Sequence, residues 1–479
     1  VTARSPSAPA GPTAELAAFA SGLEAAKLPP AVVEHAKLCI LDALGCGAFG
    51  ATLAWGRILD EFAVAMGGRP EATIWGSGVR VPAANAALVN GTLVHSFELD
   101  DLHKESILHP TAAALPAALS VAEMEPGISG PEFLTAVVAG FEVGIRVGVA
   151  VGTAQLLRGF HPTGTLGGVA AAAAAGRALR LSPREMAHAL GIATTQGAGL
   201  MAAQYESMVK RMHAGRAAQS GVYGALLARR GFTGIERVFE EPYGGFCSTI
   251  GDGADLGALT RGLGQEFETL RIGFKGYACC GSCHAAVEAM LRLKREHGLA
   301  PADVRRIEVW TTEATLLHVG WPYEPGGVTR AQMNLPYCAA VALADGEAFV
   351  DQFTEARVRD PELAALARRV EVRSDPALDA LGPGGRHAVR VRLTLADGRA
   401  LERSQRHAKG SAADPLSREE VVGKFHRLAG QALGESNAGR VLESVMRTEE
   451  HFSAADWGRM MMRIPLDVGG FAADAARHG

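Results

Sequence analysis

The sequence predicts a mainly α protein, a large all-helical domain interrupted by a smaller α+β unit. Three observations carry the prediction. Up to residue 270 apolar side chains recur at spacings of three and four, and nothing alternates with period two. Alternating β-branched segments occur only in a compact block of about 130 residues after that. Helix signals then resume at Ser417. The expected limits are residues 13–268 and 410–479 for the helical domain and 269–409 for the insert.

Taken in order, Leu16, Phe19 and Leu23 mark a first helix, and Pro29-Pro30 opens a second through Val33, Ala36, Leu38 and Leu41. The stretch before Thr13, rich in Pro, Ala and Ser, reads as a loose tail. Residues 81–96 and 111–124 are Ala/Leu-rich helices flanking a polar stretch. Pro131 starts another helix, expected to run to Leu157. Its segment from Ala136 is the most apolar in the chain. It carries Glu142 and Arg146 four apart, an intrahelical pair suited to a soluble helix. Arg158–Gly168 reads as a loop feeding the alanine run Ala170–Ala175. Ser182, Pro183 and Glu185 form a capping-box start, and helices continue to about Arg230. In the insert, strands are expected at 306–312, 369–373 and 387–395. The last turns at Asp397-Gly398 into a hairpin partner at 399–404. Helices fall between them at 284–298 and 331–344. Ser417 with Glu420 closes a second capping box.

The chain has 479 residues, 48% hydrophobic and 20% charged, enough to bury a large core. A net charge of −4 without a basic block argues against nucleic acid as a partner. No membrane partner is expected either. Seven cysteines, an odd number not spaced as a disulfide framework, point to a reducing, cytoplasmic location.

Four stretches carry chemistry. Asn90 to Pro110 packs His95, His103, His109, Glu98, Glu105, Asp100 and Asp101 among apolar neighbours, where desolvation moves pKa values toward neutrality. Gly159-Phe160-His161-Pro162 places an imidazole ahead of a glycine-rich helix start. Lys210-Arg211-Met212-His213 is a cationic run, readable as an anion site or as a solvated helix start. Lys275 precedes Cys279, Cys280, Cys283 and His284. Cys280-x-x-Cys283-His284 formally matches a haem attachment site. Its mid-chain position and the lack of a second Cys pair instead favour a loop that presents Lys275 to a pocket.

Together these stretches resemble the MmgE/PrpD family. The resemblance rests on Asn90-Gly91 to His109-Pro110 with Asp100-Asp101, on Gly159-Phe160-His161-Pro162, and on Lys210-x-x-His213-x-Gly215-x-Ala217-Ala218. Lys275-x-Tyr277-x-Cys279-Cys280, followed by His284-x-x-x-Glu288-Ala289, and Gly231-Phe232-Thr233-Gly234 extend it. It implies that the α+β unit is a lid, with the active site between the two domains, a homodimer, and no metal or organic cofactor. By match, Asp100, His109, His161 and Lys210 are expected to be catalytic. Glu98, Lys275, Cys280 and Tyr337 are expected to bind substrate. Three positions depart from the family pattern: Glu98 where Asp is common, Leu102 where Thr follows the acidic pair, and Cys280 where decarboxylating members carry His. The lost hydroxyl and imidazole count against the cis-aconitate reaction.

The family reactions share a negative charge developing on carbon next to a carboxylate. Lys210 and Lys275 suit that charge, and His109 and His161 suit proton movement. The leading expectation is a cofactor-independent hydro-lyase of a small di- or tricarboxylate, like 2-methylcitrate dehydratase. Epimerisation of an imino- or amino-dicarboxylate is the alternative. A third reading has His95, Glu98, Asp101, His103 and His109 hold a divalent metal.

Overall fold

The computed structural model describes residues 11–463; the expected N-terminal tail before residue 11 and the end of the C-terminal helical segment beyond 463 lie outside them. The centre of the molecule is the helix Pro162–Ala178, whose alanine run is wholly buried. Its neighbours are Pro110–Met124, Gly130–Val151, Pro183–Thr194 and Val209–Arg229. Small residues let these backbones approach closely. A Cβ on Gly221 would stand 2.3 Å from that of Ala171, and one on Gly215 would stand 2.0 Å from the Leu88 carbonyl oxygen. Either side chain would force the helices apart.

The helix expected to reach Leu157 ends at Val151, and Gly152 takes a positive φ of 65° there. It is long and apolar enough to cross a bilayer, but it lies packed inside the helical part, with 94% of its apolar window buried. Arg146 pairs with Glu142 at 3.4 Å, as the spacing implied. Both also reach the chain at 261–269. Glu142 accepts from the Thr269 N–H at 2.8 Å, and Arg146 donates to the carbonyls of Arg261 and Glu266. Ser182 and Ser417 cap their helices with Glu185 and Glu420 as the sequence predicted. The expected loop Arg158–Gly168 is shorter than read: Pro162 opens the helix, so Thr163–Gly168 are helical.

The α+β part is built on a four-stranded sheet in the order Val370–Ser374, Val304–Thr311, Val389–Leu395, Ala400–Gln405. The first pair is parallel, with Val309 opposite Val372; the other two are antiparallel, with Val309 opposite Val391. Val389, Val391, Leu393 and Leu395 face inward while Arg392 faces solvent, the alternation expected of a half-buried strand. The helices His284–His297 and Leu335–Asp345 pack on each other, and the first also lies against the hairpin.

After the sheet the chain returns to the helical part. The helix Arg418–Leu433 packs on Pro30–Gly50, and Ala454–Met460 packs on Pro110–Met124. A buried ion pair, Lys424–Asp42 at 2.7 Å, fixes the first contact. The same ammonium donates to the Leu99 carbonyl at 2.5 Å, inside the polar stretch singled out above.

Candidate active site

The polar stretch leaves the helix Ala83–Val94 through one 3₁₀ turn, His95–Phe97. Glu98 then adopts a left-handed conformation, φ 55° and ψ 31°. Ile107, further along the same loop, also has φ of 56°. Left-handed backbone costs a non-glycine residue roughly 1–2 kcal/mol, more for a β-branched one, so surrounding contacts must hold both in place. Both line one cavity of about 460 Å³.

The contacts on Glu98 are ionic. Its Oε1 receives Lys210 Nζ and, at 2.5 Å, Arg211 Nη1; its Oε2 lies 3.3 Å from Lys275 Nζ. All four side chains are buried. Burial alone would raise the Glu98 carboxyl; Lys210, Lys275 and Arg211 together outweigh it and hold it well below the usual carboxylate range. Burial also draws Lys210 down, although Glu98 opposes it. One carboxylate facing three cations leaves surplus positive charge. Lys210 and Arg211 open the helix Val209–Arg229, where the macrodipole disfavours cations, so Glu98 also offsets a cost intrinsic to their position. The solvated reading of this run fails: Lys210 and Arg211 are among the most buried cations of the chain.

Asp100, two residues on, faces imidazoles. His95 Nδ1 is 2.7 Å and His109 Nδ1 is 3.1 Å from its Oδ2. Burial would raise Asp100, but the two rings hold it well below its usual range. His95, fully buried, is pushed down to about 4. It is therefore a neutral ring donating Nδ1–H to an ionised Asp100. Asp101 behaves oppositely: burial holds its carboxyl well above the usual range, and its partner is the Thr111 hydroxyl.

His109 and His161 reach the cavity by the same local device. Each precedes a proline that opens a helix, and proline holds the residue before it extended (φ −92° and −86°). Both rings line the cavity. His161 Nδ1 meets His213 Nδ1 at 3.0 Å, which leaves its Nε2 free of that contact. Burial, aided by Lys210, keeps His161 well below its usual range and His213 at about 4.

Five expected site residues line the cavity: Glu98, His109, His161, Lys210 and Cys280. Asp100 stands behind His109, and Lys275 reaches Glu98 from the side. Burial pushes the Cys280 thiol up, so the cavity meets a neutral thiol there. Tyr337 is not brought to this cavity. It lies in the core of the α+β part, where its hydroxyl donates to the Gln352 carbonyl at 2.6 Å and its ring packs on Tyr323 and Phe353. Three ionisable lining residues went unread in the sequence: His318, Arg386 and His387. Gly384-Gly385-Arg386-His387 was the available signal, a glycine pair delivering two polar side chains. Ser282 Oγ lies 3.3 Å from both His318 Nδ1 and His387 Nε2, and burial keeps His318 at about 3.

The five residues read as metal ligands do not converge. Glu98 is held by cations, Asp101 by Thr111, and His103 by Ser106 at 3.0 Å and Glu268 at 3.2 Å. The closest trio is His95, Asp100 and His109. Ligands bound to one ion at 2.0–2.2 Å in a tetrahedron stand roughly 3.3–3.6 Å apart. The 2.7 Å between His95 and Asp100 is a hydrogen-bond spacing.

One short ladder and a side-chain network join the two parts around the cavity. Leu102–His103 pairs antiparallel with Ile272–Gly273, just before Lys275. Gln332 donates to the carbonyls of Phe97 and Ala278, both at 2.9 Å, and accepts from Arg211 at 2.6 Å.

Comparison with known proteins gives a consistent picture. The profile of the MmgE/PrpD N-terminal domain matches residues 14–258, and that of the MmgE/PrpD C-terminal domain matches residues 277–450. A cis-aconitate decarboxylase-like protein of Aspergillus oryzae, oryM, is 35% identical over 94% of this chain and 97% of its own length. A cis-aconitate decarboxylase of Aspergillus terreus is 34% identical over 92% and 93%. A mitochondrial 2-methylcitrate dehydratase of Yarrowia lipolytica is 24% identical over 77% and 74%.

Proposed function

The chain belongs to the MmgE/PrpD family, and from that premise we propose that it is a lyase acting on a small tricarboxylate. The observation that carries the reading is the charge of the cavity wall. Lys210 and Arg386 face it, and its one carboxylate, Glu98, is shared among three cations. Such a wall attracts a polyanion and stabilises negative charge developing on carbon beside a carboxylate.

Loss of carbon dioxide is the first reading, supported by a cis-aconitate decarboxylase-like relative and a cis-aconitate decarboxylase, each matched over most of its length. When the carbon–carbon bond breaks, its electron pair stays on the substrate, spread into the neighbouring carboxylate beside Lys210. A proton must then reach that carbon. Asp100, 3.1 Å from His109 Nδ1, supplies the counter-charge for a proton carried on His109, which makes His109 the donor. The imidazole missing at Cys280 does not leave the wall without others, since His318 and His387 stand nearby.

Loss of water is the second reading, favoured by the 2-methylcitrate dehydratase relative. It needs a base as well as an acid. His161, kept neutral by burial, accepts the proton next to the carboxylate, and His109 protonates the departing hydroxyl.

Both are tested by incubating the protein in heavy water with cis-aconitate and with 2-methylcitrate and following the products by NMR. The decarboxylase reading expects carbon dioxide and one deuteron per product molecule; the dehydratase reading expects an unsaturated product and water. Recovery of substrate with exchanged protons and no new product would overturn a lyase in favour of an isomerase. Turnover by Lys210→Ala within twofold of wild type would overturn the role of the cationic wall.

A further inference from the structure

A second cavity of about 530 Å³ lies beside the first, and Leu102, Gly281 and His387 face both. Its wall carries Lys104, Arg271, Lys275, Arg406 and Lys409, and no carboxylate among the described residues. Three of these cations have counter-charges elsewhere. Lys275 meets Glu98, Arg271 meets Glu105 and Glu268, and Lys409 meets Glu420 and, at 3.9 Å, Asp414. Among the described residues, Lys104 and Arg406 form no ion pair. Lys104 donates only to the Gly384 carbonyl, at 2.9 Å.

The crowding registers on Lys104. Burial, then the guanidiniums of Arg386 and Arg406, push it down to about 8, with Glu105 alone opposing. The helix His284–His297 also presents its first residues, His284 and Ala285, to this cavity. Its dipole adds positive potential from a further direction, although the His284 N–H is already bonded to the Gly281 carbonyl. Lys104 and Arg406, without an ion pair among the described residues and with Arg386 nearby, leave this concave space with surplus positive charge, which a multiply charged anion relieves.

We propose that this second cavity binds a small, multiply charged oxyanion, a carboxylate or a phosphate, separately from the reaction cavity. The shared wall at Leu102 and His387 brings the two anions next to each other. The binding assignment does not depend on which reaction the first cavity performs, and its test measures no turnover.

The test is calorimetric titration of the whole chain with citrate and, separately, with inorganic phosphate. Wild type is compared with the double variant Lys104→Gln/Arg406→Gln. The variant is expected to lose one equivalent of citrate per chain, or to bind it at least tenfold more weakly. Loss in the citrate arm alone identifies a carboxylate site, and loss in both arms identifies a general oxyanion site. Arg406→Glu, at the exposed mouth, provides a second variant that leaves Lys104 and Lys275 in place; it is expected to weaken the same equivalent. Unchanged citrate and phosphate binding in a double variant whose unfolding midpoint equals that of wild type overturns the proposal. So does a wild-type chain that binds neither anion outside the reaction cavity.

Discussion

Glu98 and Asp100 lie two residues apart on one loop, both buried, and they solve the same problem in opposite ways. Glu98 is satisfied by two lysines and an arginine, side chains that are cations in their ordinary state. Asp100 is satisfied by two imidazoles, a side-chain type that exists with or without a charge. The first arrangement builds a permanent electrostatic wall and stakes stability on it. The second builds a group that can take and return a proton. On the proposed function, a single loop thus separates the tasks of holding an anion and moving a proton.

The largest expected effect breaks the first arrangement. Glu98→Ala leaves three buried cations facing one another, and about 3–5 kcal/mol of stability should go, read as a lower urea midpoint. Glu98→Asp, which keeps the charge, should recover most of it. Next is Asp100→Asn, which keeps the shape and removes the counter-charge of His109. A fall in kcat of roughly 10²-fold or more is expected, with a much smaller change in unfolding midpoint. Equal losses of stability in the two variants would erase the contrast.

Acid titration sharpens it. His95 and His213 are held near 4 when folded, whereas a free imidazole titrates near 6.5. Between those values the unfolded chain binds more protons, so stability is complete above 6.5 and is lost as pH falls toward 4. The expected slope is roughly 1.4 kcal/mol per pH unit for each such ring. Glu98 and Asp100 are depressed below the usual carboxylate range, so their contribution is lost only at lower pH still. His213→Gln should flatten the first limb and leave the second, as urea midpoints at successive pH values would show. The smallest effect belongs to Asp101, whose carboxyl burial already keeps above its usual range. Asp101→Asn should cost less than about 1 kcal/mol and change kcat little.

Much of this was legible in the sequence, for local reasons. The capping boxes at Ser182 and Ser417, the His-Pro helix starts and the Asp397-Gly398 hairpin all depend on residues a few positions apart. Glu98, His109, His161 and Lys210 could be named because each sits in a chemically dense stretch. What was missed depends on the approach of distant segments. Arg386 and His387 precede the Val389–Leu395 strand and gain meaning only when the sheet sets them beside Cys280 and Ser282. Tyr337 fails for the converse reason: its helix turns that face into the core of the α+β part. Arg211 was in view as one of several clustered cations, but only the fold shows it buried on Glu98.

The ammonium of Lys424 touches the carbonyl of Leu99, between Glu98 and Asp100, across 325 residues of chain. That contact sets an order of assembly. During synthesis the residues that hold and move charge emerge early, while the brace behind their loop emerges only with the helix Arg418–Leu433. A nascent chain stopped before residue 424 carries Glu98, Asp100, His109, His161 and Lys210, yet Asp42 and the Leu99 carbonyl lack their partner. Because closing so long a loop is slow compared with forming local helices, the segment between the two carboxylates is expected to settle late in folding. A chain truncated before residue 424 is therefore expected to lack activity even though it carries every one of those side chains, which an assay of the truncated protein would check.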